Sequence, residues 1–213
     1  MKLITKTNTV KKLHRVEVAL LLGLAAALLC GASALQTQET VAEKVVRLHV
    51  LANSDSQEDQ ALKLRVRDKV LERATALLEA SADRKEAEGL LRGDLLEIER
   101  IAAEEIAAAG YDYSVTAQLT NTDFPTREYD GFSLPAGNYL ALRVVIGEGQ
   151  GQNWWCVVFP PLCTAAASDV SASALAAGFS EEEVGLITEE NGGYILKFKA
   201  VEWWQSLRAK WEA

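Results

Sequence analysis

The chain has 213 residues, a formal net charge of −8 and 24% charged side chains. That is the length of one ordinary domain with an extension, and its acidity works against nucleic-acid phosphates and anionic lipid as partners. Two histidines and three cysteines, with no C-x-x-C pair, give no zinc site of ordinary spacing.

Residues 1–34 read as a secretory signal peptide. Lys2, Lys6, Lys11, Lys12 and Arg15 form a basic start, Val18 to Cys30 is an apolar run broken only by glycine, and Ala32-Ser33-Ala34 is an A-x-A cleavage site. Uncleaved, the same run is a membrane anchor, although Val18 to Leu35 approaches the roughly 20 apolar residues of a spanning helix only by counting its Gly-Ala-Ser stretch. Removing the segment takes away five Lys/Arg and the single acid Glu17, so the remainder is more acidic still. Residues 35–44 are a polar lead-in, and residues 45–163 form the main region.

That region opens with a strand over Val45–Ala52. Val46, Leu48 and Val50 alternate with Arg47 and His49, the period of a half-buried strand. Asn53-Ser54-Asp55-Ser56 then ends the strand, because these side chains bond nearby backbone and favour helix starts over helix interiors. Ser56 with Asp59, or Asp55 with Glu58, has capping-box spacing. A helix follows over Gln57–Ala80, with Leu62, Val66, Val70, Ala74 and Leu77 as its apolar stripe and Asp59, Lys63 and Arg67 as a solvent-facing flank. Ser81 to Asp83 caps a second helix over Arg84–Ala109, striped by Leu91, Leu95, Ile98, Ala102 and Ile106, and Gly110 suits the left-handed residue past its end.

A strand is expected over Tyr111–Asn121, then a loop over Asn121–Arg127 and turn signals at Asp130-Gly131 and Pro135-Ala136-Gly137. Tyr139–Ile146 is a strand rich in β-branched residues. Gly147–Gln152 reads as a hairpin connection into Trp154–Phe159, whose apolar character suggests a central strand, and Pro160-Pro161 stops it. Residues 164–178, alanine- and serine-rich, read as a mobile insert. Residues 179–213 complete the domain: a short helix from Ser180 to Thr188, a strand over Tyr194–Lys199 and a helix over Val201–Trp211. The order predicts a single α+β domain with a mixed or antiparallel sheet and two long helices packed on one face.

Chemistry is sparse. Ser54, His49 and Asp55 have the residue types of a nucleophilic triad, but their nearness in sequence rarely converges at a strand corner. Asn53, Asp55, Glu58 and Asp59 resemble a calcium loop without its turn glycine. Gly147-Glu148-Gly149-Gln150-Gly151 joins two strands and lacks the lysine of a phosphate loop. Cys156 and Cys163 are either a disulfide of an exported domain or two buried thiols, and the sequence leaves both open. Trp203, Leu207 and Trp211 mark one face of the last helix, for packing or for docking. No catalytic residue, metal or cofactor follows from these residues.

The stretch Arg47-Leu48-His49-Val50-x-Ala52-Asn53-Ser54-Asp55, continuing through Asp59-Gln60, Lys63 and Val66-Arg67-Asp68, resembles the stage II sporulation protein R family of endospore-forming bacteria. So do Phe124-Pro125-Thr126, Tyr129, Leu134-Pro135-x-Gly137-x-Tyr139, the run from Asn153-Trp154-Trp155-Cys156 to Pro160-Pro161-Leu162-Cys163, and the segment Lys197–Trp203. The resemblance implies a signalling protein rather than an enzyme. It would be secreted from the forespore into the intermembrane space. There it would activate the membrane-embedded aspartic protease of the mother cell that processes pro-sigma-E. On that reading the partner contacts are expected at the polar corner and an aromatic hairpin rim: His49, Asn53, Ser54, Asp55, Asp59, Asn153, Trp154 and Trp155. Two other classes stay in view: an exported cell-wall or peptide hydrolase centred on His49, and a membrane-tethered structural protein.

Overall fold

The computed structural model describes residues 17–23, 25, 39–79, 81–162 and 169–188. In chain order the elements are β1 (Val46–Leu51), α1 (Gln57–Leu78), α2 (Arg84–Ala108), β2 (Val115–Phe124), β3 (Arg127–Tyr129), β4 (Phe132–Leu134), β5 (Gly137–Ile146), β6 (Asn153–Phe159), α3 (Val170–Ala176) and α4 (Glu181–Ile187). The sheet order is β2-β5-β1-β6, and β3 and β4 form a separate hairpin. β1 runs parallel to β5 and antiparallel to β6, while β2 is antiparallel to β5. The chain is therefore α+β with a mixed sheet.

Local chemistry sets the helix ends. Ser56 is extended at the N-cap of α1 and its hydroxyl accepts from the Asp59 N–H; Asp83 does the same for α2 through Glu86 N–H. Gly110 leaves α2 at φ +86°, where a side chain would be strained. Arg73 on α1 grips Asp94 on α2 with two parallel bonds of 2.7 and 2.5 Å, tying the helices side by side.

The core has two layers, one on each face of the sheet. On one face, Leu62, Val66, Val70, Ala74 and Leu78 of α1 and Leu91, Ile98, Ala102 and Ile106 of α2 meet Leu48, Val50, Leu142, Val144 and Val158. On the other, Val41, Val45, Phe124, Phe132, Leu134, Phe179, Val184 and Ile187 cover Tyr139, Ala141 and Val157. The second layer explains several departures from the sequence reading. β1 is not half-buried: every residue from Val46 to Leu51 is buried, Arg47 and His49 included. β6 is buried on both faces only from Cys156 to Phe159, and it stands at the edge of the described sheet, not at its centre. The Gly147–Gln152 segment is no hairpin, since β1 lies between β5 and β6; it crosses the end of β1. The strand expected over 111–121 starts later and runs on to Phe124, which pairs with Gly137 and buries its ring in the second layer. The alternation of Thr120, Thr122 and Phe124 with outward polar residues keeps a strand going where composition suggested a loop.

Within the expected mobile insert, residues 170–176 form α3. Asp169 caps it by accepting from Ala172 N–H, its alanines favour the helix, and Ala174 is buried in the second layer. α4 begins with a complete capping box between Ser180 and Glu183. The strand and helix expected over 194–211, with Trp203, Leu207 and Trp211, lie outside the described residues, as does most of the signal segment. Among the described residues no helix is long and apolar enough to cross a membrane.

Candidate functional site

The polar corner after β1 is a joint. Asn53 Nδ2 and Ser54 Oγ both donate to Asp59 Oδ2, at 2.9 and 2.5 Å. Asn53 Oδ1 accepts from Glu148 N–H at 3.0 Å, and Asp55 Oδ1 accepts from Gln152 N–H at 2.8 Å. Gly151 N–H reaches Ala52 O at 2.9 Å, and Lys63 Nζ donates to Gln152 O at 2.9 Å. The corner thus clamps the glycine connection across the end of β1. Close approach makes the glycines necessary: a Cβ on Gly147 would lie 2.2 Å from Asn53 Oδ1, and one on Gly151 would lie 2.1 Å from Ser54 O.

This geometry corrects the picture of a solvent-facing flank along α1. Asp59 is 4% exposed and Lys63 5%, so neither stands in solvent. The Asp59 carboxylate also does not close a capping box with Ser56; it turns back to Asn53 and Ser54. Burial pushes its pKa up, but the hydrogen bonds from Ser54, Asn53 and Tyr113 outweigh burial and hold the carboxyl below its ordinary range. Burial lowers Lys63, helped by the nearby Arg67 charge and opposed by Asp55. Of the corner residues, Asp55 is exposed and Asn53 and Ser54 are half-buried.

Beside the joint, the start of β6 carries the other expected site residues, on a sheet edge rather than a hairpin rim. Trp155 pairs with His49 across the strands, and their rings stack at 3.9 Å and 14°. His49 Nε2 lies 2.8 Å from Asn153 Oδ1. His49 is 5% exposed, so it is buried rather than half-exposed. Burial lowers its pKa; the Asn153 bond opposes, and the Arg143 and Arg47 charges add to the lowering. The balance favours the neutral imidazole. Trp154 faces outward, 36% exposed, with the Arg67 guanidinium 4.2 Å from its ring.

Arg47, Arg67, Arg127 and Tyr129 belong to this region and were not singled out as site residues from sequence. Arg47 is fully buried between Phe124, at 4.0 Å, and Tyr139, at 5.0 Å, and donates to the Tyr129 hydroxyl. Its polar position inside an apolar strand was the one visible signal. Arg127 lies 5.8 Å from the Trp155 ring and joins Glu128, Tyr129, Asn153, Trp154 and Trp155 around an open cleft of about 570 Å³.

The nucleophilic triad drawn from Ser54, His49 and Asp55 is not assembled. Ser54 bonds Asp59, His49 bonds Asn153, and Asp55 bonds the Gln152 backbone. Among the described residues no three His, Cys, Asp or Glu side chains are grouped to hold a metal ion. Cys156 is buried in the helix-side core, and Cys163, with which the sequence leaves a disulfide open, lies outside the described residues.

Comparison with known proteins places this region in a family. The sequence profile of "Stage II sporulation protein R (spore_II_R)" matches residues 42–169, a span holding the corner, the aromatic strand and the cleft. The curated relative "Stage II sporulation protein R" of Bacillus subtilis (strain 168) is 40% identical over 123 residues, which is 58% of this chain and 55% of that relative. The matched stretch thus spans about half the relative's length. No solved structure matches.

Proposed function

The chain belongs to the stage II sporulation protein R family, and from that premise we propose that it is a secreted signal of sporulation that acts by contact. Residues 1–34 carry it out of the forespore into the intermembrane space, where leader cleavage releases the domain. There it binds the membrane-embedded aspartic protease of the mother cell and favours the state that processes pro-sigma-E. A ligand shifts such an equilibrium only by binding the active state better than the inactive one, with coupling typically of about 1–3 kcal/mol.

The 40% identity to the Bacillus subtilis protein carries this reading. The hydrogen bonds of the corner give that contact a fixed base: Asn53, Ser54 and Asp59 hold the loop that leads into the start of β6. The contact surface therefore centres on Asn153, Trp154 and Trp155, with the corner as its scaffold.

The test is complementation. In sporulating cells lacking their own copy, the full chain restores pro-sigma-E cleavage on an immunoblot, and a version lacking residues 2–34 does not. Cleavage that persists without the leader, or fails with the full chain, overturns the proposal.

A further inference from the structure

We propose that the cleft between the start of β6 and the β3–β4 hairpin binds a carboxylate-bearing segment of a protein partner, an acidic peptide. That this segment belongs to the protease rests on the function proposed above; the carboxylate preference rests on the cleft itself.

The donors are set from behind. His49 is buried, and its Nδ1 has no hydrogen-bond partner. The proton therefore sits on Nε2 and is donated to Asn153 Oδ1, because the other tautomer would bury an unpaired N–H, the costlier orphan. With its oxygen turned inward to His49, Asn153 offers a ligand its Nδ2 amine. Exposed Arg127 adds a guanidinium on the same wall. Both groups are donors, and a carboxylate is the ligand that accepts from an amide and a guanidinium together.

A second observation points the same way. Arg47 is completely buried, and its Nε and Nη1 atoms have no hydrogen-bond partner. Its third nitrogen, Nη2, donates to Tyr129, which lines the cleft. An incompletely paired charge in a low-dielectric interior projects its field further than one in water. Arg67 stacks on Trp154 at the other side, so the exposed indole is held on a cation. Against these stand Glu128 on the wall and Asp68, which Arg67 grips at 2.5 Å. An acidic chain has thus collected arginines around one aromatic anchor, the residue types that dominate protein contacts.

A lipid surface fits less well. The chain carries −8 overall and would be repelled by an anionic bilayer. Salt screens charges beyond about 8 Å, so a carboxylate seated in the cleft feels mainly its lining, where Arg127 and the Asn153 amide stand against Glu128.

The test uses the full chain and a fluorescein-labelled hexaglutamate peptide, read by anisotropy, with labelled hexalysine and phosphatidylglycerol vesicles as competing probes. Hexaglutamate binds saturably and at least tenfold more tightly than hexalysine, and salt weakens it. Arg127→Gln and Asn153→Asp, both at exposed positions, each weaken it by about tenfold or more, and in Arg127→Gln the unfolding midpoint stays put. Unchanged affinity in both variants, preference for hexalysine, or binding to vesicles without binding to peptide overturns the cleft assignment. Pro-sigma-E cleavage that survives Asn153→Asp, with peptide binding lost, overturns the assignment of the segment to the protease. Failure of the wild-type chain in cells, with hexaglutamate binding intact, falls on the proposed function alone.

Discussion

Folding favours the neutral form of His49, because burial and two neighbouring arginines, Arg143 and Arg47, outweigh its bond to Asn153. Its folded pKa lies below the ordinary 6.5, so in that window the unfolded chain binds more protons than the folded one. The histidine's contribution is therefore full above 6.5 and is lost as pH falls from there through the folded value. Asp59 acts lower down: its folded pKa is below the ordinary 3.8, so its contribution is present above that value and disappears as pH falls further. Urea unfolding across this range should show two separate declines. In His49→Gln the upper decline flattens and the acid one stays; an unchanged upper decline would mean that another group titrates there. The residue types at the site could be read in the sequence, but their roles could not. His49 and Arg47 alternate with apolar neighbours, which marks a strand and also marks them as its solvent face. Only the second layer turns that face inward, and most of it, such as Phe124 and Phe132, comes from far along the chain.

At the scale of elements, the joint between β1 and α1 explains why one glycine differs from another. Gly151 has no room: an added Cβ would meet Ser54 O at 2.1 Å and Ser54 C at 2.5 Å, both backbone atoms. Gly93, inside α2, has nothing within 4 Å. Gly151→Ala should destabilise by about 1–3 kcal/mol, as overpacking does, whereas Gly93→Ala should stabilise by roughly 0.5–1 kcal/mol through helix propensity. Denaturant midpoints compare them directly, and equal shifts would refute the clamp. The helices themselves were legible, since a four-residue apolar stripe and a capping residue are local signals. The crossing of the glycine connection over β1 was not, because a hairpin and a crossover both need a tight, glycine-rich segment between strands. Strand order is a long-range fact: β1 takes its place between β5 and β6 through pairings that span about a hundred residues, such as Leu48 with Leu142 and with Cys156.

For the whole molecule, the question is whether the two layers fold as one unit. β1 is the element they share: Leu48 and Val50 face the helices, while Arg47 and His49 face the aromatic layer. A strand buried on both faces couples the layers, because neither can open without exposing it. Leu91→Ala, in the helix layer, should cost about 2–5 kcal/mol, and Phe132→Ala, in the aromatic layer, about 3–5 kcal/mol. Both residues are at most 1% exposed and sit in separate core clusters, so the two costs should add to within about 0.5 kcal/mol. Each variant should also shift far-UV circular dichroism, which follows the helices, and tryptophan fluorescence by the same amount, the latter read with Trp203, Trp204 and Trp211 replaced by Phe so that it follows Trp154 and Trp155 on β6. A Phe132→Ala chain whose fluorescence transition runs ahead of its helical one would show the aromatic layer opening by itself. The cleft would then lie on a part of the molecule that opens at lower free energy than the sheet and helices behind it, and partner binding would have to supply the ordering that the second layer does not.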